Sequence, residues 1–162
     1  NFFERTPRVD SIVNKQDIIY VGGGNTKSML AVWKDWKFDK LLAKAYQRGA
    51  ILCGVSAGSI CWFERGITDS WASNLNVIDC LGYIKGTNCP HYNFEKNRQP
   101  TVYKLILDGV IDSCVASEDG AALHYKEGKL VTSVSFYKDS NSYLIKKENN
   151  KIKETIIKGI SL

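Results

Sequence analysis

Histidine is scarce: the 162 residues hold two, His91 and His124. A general base of that type therefore has two candidates and no more. Cysteine offers no metal frame. The five cysteines, at 53, 61, 80, 89 and 114, contain no C-x-x-C pair. With only two histidines beside them, no zinc-type ligand spacing remains. Their odd number, in strand-like and helix-like contexts, points to reduced thiols in a cytoplasmic protein. No apolar run reaches the length of a membrane span. Residues 1–10 carry charges where a secretory signal needs an apolar stretch. The first residue is not methionine, so the start reads as processed or incomplete. No internal repeat and no low-complexity segment is visible. The net charge is +5, but no aromatic residues interleave with the lysines. Lys146, Lys147, Lys151 and Lys153 therefore read as the solvated face of C-terminal strands, not as a nucleic-acid surface. These absences turn the reading away from metalloprotein, membrane protein and nucleic-acid binder, and no cofactor is expected.

What is present is ordinary for a globular chain, with 44% hydrophobic and 24% charged residues. The length fits one domain with a sizeable core. Residues 17–21 form a short apolar run that feeds Gly22-Gly23-Gly24-Asn25-Thr26. Thr26 is placed to cap a helix from about 27 to 33. Three glycines after a strand mean close approach of the backbone to something. The dinucleotide fingerprint G-x-G-x-x-G is not met, because Lys27 stands at its last glycine. Residues 39–48 are amphipathic, with Gly49 as a stop. Strand and helix thus alternate as in a parallel α/β sheet. Residues 64–79 are polar and read as an irregular loop. A strand is expected over 81–87, a helix over 98–107, and strands over 111–116, 121–125 and 129–136. The last two are joined through Lys126-Glu127-Gly128. A second hairpin, 143–147 with 152–157, turns at Glu148-Asn149-Asn150.

The densest signal lies at 50–63. The apolar run 50–53 reads as a buried strand, and 57–63 as a helix. Between them Gly54-Val55-Ser56-Ala57-Gly58 fits G-x-S-x-G. Strand, tight turn with a serine at its apex, then helix is the setting of a nucleophile elbow. The Ala57 N–H follows the serine at a helix start, where it can stabilise an oxyanion. A serine nucleophile needs a base. His91 lies in a loop beside Pro90, where active-site groups are displayed, whereas His124 sits in a strand of alternating pattern. A carboxylate should orient the imidazole. Ser117-Glu118-Asp119-Gly120 supplies the first choice, Glu118, with Asp119 and Asp69 as alternatives.

Three motifs together resemble the peptidase E (aspartyl dipeptidase) family of serine peptidases, related to cyanophycinases. They are Val21-Gly22-Gly23-Gly24-Asn25-Thr26, Gly54-Val55-Ser56-Ala57-Gly58 and Pro90-His91-Tyr92. The resemblance covers residues 17–125. It implies a fold similar to class I glutamine amidotransferases, which is flavodoxin-like: a parallel sheet with flanking helices, here followed by C-terminal hairpins. It implies that Ser56 attacks a scissile carbonyl, that His91 takes its proton, and that an acyl-enzyme forms. An N–H of Gly23 or Gly24 would join that of Ala57 in the oxyanion hole. Asn25 and Arg98 would contact substrate, with Lys96 as another cation for an N-terminal aspartate. The family also begins with further strand–helix units before the glycine loop, so the single domain over 1–162 is expected to lack them. The expectation is a cytoplasmic peptidase acting on short peptides, with a homodimer left open. Two other readings stand beside it: a non-catalytic binding module of the same fold, and an esterase or acyltransferase using the same serine.

Overall fold

In the computed structural model, which describes residues 8–71 and 74–162, the apolar runs of the first third become paired strands and the helices between them. Helix α1, Val9–Val13, precedes strand β1, Ile18–Val21. Helix α2, Thr26–Asp35, starts at Asn25, whose side chain accepts the Ser28 N–H. Thr26, expected as the cap, is instead the first helical residue, because the Asn25 carboxamide takes that role. Helix α3, Phe38–Gln47, buries Leu42 and Ala45. Strand β2, Ile51–Gly54, then pairs in parallel with β1, Ile18 opposite Ile51 and Val21 opposite Gly54. Helix α4 is a single turn, Ala57–Ile60.

The expected helix over 57–63 is therefore cut short, since the chain enters β3, Phe63–Thr68, directly. The stretch expected to be irregular, 64–79, holds β3 and most of its hairpin with β4, Asn76–Asp79. Next come β5, Ile84–Cys89, helix α5, Arg98–Leu107, and β6, Ser113–Ser117. The C-terminal part contains β7, Ala121–Lys126, β8, Lys129–Ser135, β9, Ser142–Glu148, β10, Lys151–Ile157, and β11, Gly159–Ser161. The first seven residues, which show no periodicity in the sequence, lie outside the described residues, as do Ala72 and Ser73.

The largest sheet has the order β10-β9-β6-β5-β3-β4. Its centre, β3·β5·β6, is parallel as expected. The flanks are antiparallel, so the sheet is mixed rather than wholly parallel. The cause is local. Asn149 and Asn150 both have positive φ, 51° and 59°, and so do Glu127 and Gly128, at 51° and 73°. Two such residues in succession make the tight turn that suits strand twist and forces an antiparallel partner. Both expected hairpins form in this way. The second closes the large sheet, and the first joins β11 in a separate three-stranded sheet, β11-β8-β7.

Helix α5 covers one face of the large sheet. Val102 and Ile106 bury against Ile67, Ile111, Cys114, Ala116 and Ile145. A second cluster, built on Val21, Leu30, Leu42, Cys61 and Trp62, seats α2 and α3 beside the elbow. Every one of the five cysteines is a free thiol. Burial holds the Cys61 and Cys114 thiols well above the usual range and pushes Cys89 up to about 11.

Candidate active site

Ser56 stands between β2 and α4 with φ 55° and ψ −116°. A residue other than glycine rarely adopts this conformation, and such strain gathers at functional sites. The turn is possible because the chain beneath it has no side chains. A Cβ on Gly54 would strike the carbonyl oxygens of Val21 and Gly58, and one on Gly58 would strike the Val21 backbone. The Val55 N–H in turn donates to the Val21 carbonyl at 3.1 Å. Gly58→Ala is accordingly expected to cost about 3 kcal/mol or more, since backbone and not a flexible side chain must move. Urea unfolding of the two proteins checks it, and an unchanged midpoint would contradict the packing described here.

The glycine loop reaches the same point from the other side. A Cβ on Gly23 would lie 3.3 Å from Ser56 Cβ and 3.8 Å from its Oγ. Gly23 is thus the loop residue in contact with the serine, while Gly24, with φ 147°, has open space around it. Among the described residues, the Ala57 and Gly23 N–H groups donate to nothing. Asn25, expected at the substrate, is occupied otherwise. It caps α2 and donates from Nδ2 to the Ser70 carbonyl. Ser70 Oγ also accepts the Thr26 N–H at 2.9 Å, so one serine fastens the loop to the end of β3.

His91 follows β5 and Pro90, and it too has positive φ, 56°. Its Nδ1 lies 2.6 Å from Asp119 Oδ1. The imidazole is 25% exposed and the carboxylate 44%. The carboxylate beside His91 therefore belongs to Asp119 and not to Glu118, the residue put first from the sequence. The reason is the strand next door. Glu118 Oε2 accepts the Asn141 N–H and Oε1 accepts the Tyr143 hydroxyl, each at 2.8 Å, so its side chain is drawn toward β9. Burial, and then this carboxylate, push the Tyr143 hydroxyl up to about 12, which keeps it a donor. Asp119 is left to face His91. Its N–H donates to Asn93 Oδ1 at 3.1 Å and its carbonyl accepts from Ser140 Oγ at 2.9 Å.

Glu118 thereby holds the 137–141 turn that in turn holds Asp119. Glu118→Ala is expected to cost about 1–3 kcal/mol, because two donors lose their acceptor. A denaturant melt checks the stability, and turnover should fall far less than on changing Asp119. No hydrogen bond joins Ser56 Oγ to His91 among the described residues. Catalytic hydrogen bonds are often slack before substrate closes them.

The remaining sequence candidates lie elsewhere. Arg98 is 4% exposed; its Nε donates to Glu95 at 2.8 Å and a terminal nitrogen to the Ile67 carbonyl at 3.1 Å. It locks the start of α5 to β3 and offers no guanidinium to a ligand, which corrects its assignment to substrate. Lys96 is exposed and lines a pocket of about 250 Å³ with Tyr92, Asn93, Gln99, Glu118 and others. His124 is exposed on β7, opposite Thr132. Asp69 is exposed after β3. Asn93, Ser70 and Ser140 went unnoticed in the sequence, where polar residues in turns carry no mark of the bonds they make. Among the described residues no three His, Cys, Asp or Glu side chains gather as a metal site, and no helix is long and apolar enough to cross a membrane.

Comparison with known proteins gives a consistent picture. The family model of peptidase family S51 matches residues 2–133. An uncharacterized peptidase of Bacillus subtilis, YgaJ, is 42% identical over 144 residues, which is 89% of this chain and 62% of that protein. The uncharacterized peptidases Lmo0363 of Listeria monocytogenes and Lin0382 of Listeria innocua are each 31% identical, over 96 and 108 residues. Those matches cover 56% and 61% of this chain, and 47% and 52% of the Listeria proteins. The chain thus spans about half to three-fifths of the length of the relatives it matches.

Proposed function

The chain belongs to peptidase family S51, and from that premise we propose that it hydrolyses short peptides through Ser56, His91 and Asp119. The observation that carries the reading is the strained Ser56 turn on a chain that also pairs His91 with a carboxylate. Asp119 accepts from Nδ1, so Nε2 is left unprotonated to receive the serine proton. Ser56 Oγ forms a bond to the peptide carbonyl carbon as His91 takes that proton. The resulting oxyanion is held by the Ala57 N–H with that of Gly23. His91 then gives its proton to the leaving amine, the C–N bond breaks, and an acyl-enzyme remains. Water repeats the sequence, with His91 as base, and frees the acid.

The scaffold we assign is the class I glutamine amidotransferase-like kind. The parallel β1·β2 pair beneath the elbow and the parallel β3·β5·β6 core support it. A preference for N-terminal aspartate would need a cation other than Arg98, and exposed Lys96, close in sequence to His91, is the one we put forward. Five free thiols support a cytoplasmic setting.

The test is turnover of this chain on a dipeptide library and on simple esters, with Ser56→Ala as the control. Peptide cleavage lost in the control is expected. Ester cleavage with no peptide cleavage would overturn the peptidase reading in favour of an esterase. Absence of any turnover, with Ser56 inert to a fluorophosphonate, would favour a binding module.

A further inference from the structure

Asn88 is a polar side chain that links the three elements bearing the proposed triad. It sits on β5 with its side chain 0% exposed, three residues before His91. Its Oδ1 accepts from Ser59 Oγ at 3.1 Å, and its Nδ2 donates to the Val115 carbonyl at 2.9 Å. Ser59 lies on α4, three residues after Ser56, and its N–H donates to the Ser56 carbonyl at 2.9 Å. Val115 lies on β6, four residues before Asp119. A path of three hydrogen bonds therefore runs from the serine, through Ser59 and Asn88, to the strand that presents the carboxylate. The histidine leaves from the middle of that path.

The chemistry of the site makes this placement consequential. Ser56 and His91 come from separate elements, and apolar packing alone would leave their separation loosely defined. The α4 helix is a single turn, too short to hold its own direction by internal hydrogen bonds. Apolar contacts tolerate sliding by fractions of an ångström, because they are non-directional. Hydrogen bonds in a dry interior fix both distance and angle. A serine and a base must meet within a narrow window for proton transfer.

We propose that Asn88, acting with Ser59, is a positioning residue that sets the distance of Ser56 from His91 and Asp119. This rests on the triad reading above. The pair does not touch substrate. Its amide carries no charge, so it fixes geometry without altering the electrostatics of the imidazole.

The test uses the whole chain and a fluorophosphonate, whose reaction with Ser56 is followed by intact mass over a range of reagent concentrations. Ser59→Ala removes one hydroxyl and is the least disruptive break in the path. The limiting labelling rate is expected to fall about tenfold or more, given what small misplacements cost. The half-saturating concentration should stay within about twofold, since ground-state binding is untouched. Ser59→Thr keeps the hydroxyl and is expected to restore the rate. Asn88→Ser, where it folds, should fall like Ser59→Ala, and the two changes combined should cost little more than one. A wild-type limiting rate in Ser59→Ala, whatever its melting temperature, would overturn the proposal, because a merely structural bond lowers stability and leaves the rate per folded molecule. Equal loss in Ser59→Thr would also overturn it. Should the wild-type chain fail to label, or Ser56→Ala label as fast as wild type, the triad reading falls and the proposal with it.

Discussion

Ser56→Ala is expected to lower peptide turnover about a thousandfold or more, the scale on which a nucleophile is lost from a serine triad. Stability should barely change. Serine and alanine meet the same penalty at φ 55°, so the backbone strain is carried over unaltered. The side chain is half-buried, and its hydroxyl makes no hydrogen bond among the described residues that folding would forfeit. Ser56→Gly separates the two effects further. Glycine relieves the positive φ and is expected to raise the unfolding free energy, offset by its own greater chain entropy, while turnover stays as low as in the alanine variant. Steady-state kinetics with a denaturant melt on each variant checks both halves. Turnover near the wild-type value in either variant would remove Ser56 from the reaction.

Asp119→Asn carries the second large effect. The asparagine side chain matches the carboxylate in shape, so the Asn93 and Ser140 contacts, which involve the Asp119 backbone, persist. Its amide can present N–H to His91 Nδ1, which fixes the imidazole in the tautomer with Nε2 protonated. That nitrogen can then no longer accept the serine proton. Loss of about 10³–10⁴-fold in kcat is expected, with KM little changed. Glu118→Gln should lose far less, because its oxygens serve Asn141 and Tyr143 and not the imidazole. The contrast between neighbouring residues is the informative part, since general weakening of the turn would affect both variants alike.

That contrast also marks where the sequence stops being legible. The elbow could be read because its requirements are local: small residues at 54, 57 and 58 and an apolar run leading in. Of the two histidines, the one the sequence puts in a loop, His91, is the one that lies beside Asp119. The hairpins could be read from Glu127-Gly128 and Asn149-Asn150, where the turn residues themselves set the geometry. The choice between Glu118 and Asp119 could not. It depends on Asn141 and Tyr143, more than twenty residues away, which claim one carboxylate and leave the other. Strands β3 and β4 were hidden for a similar reason. Gly66 and the charged pair Glu64 and Arg65 break the apolar alternation, and the pairing with β4 and β5 that makes them strands is remote in sequence. Gly66 itself is required by Ile60, whose side chain would meet a Cβ there at 2.9 Å. Arg98 is expected at the substrate, and its burial is not foreseen because arginine is rarely buried. Glu95, one turn before it, and the Ile67 carbonyl make its burial tolerable.

The most direct measurement is the site and rate of fluorophosphonate modification, mapped by peptide mass in the wild type, His91→Ala, Asp119→Asn and Glu118→Gln. The account predicts one adduct, on Ser56, absent with His91→Ala, slowed by orders of magnitude with Asp119→Asn, and nearly as fast as wild type with Glu118→Gln. An adduct on another residue, or a rate that depends on Glu118 and not on Asp119, would contradict it.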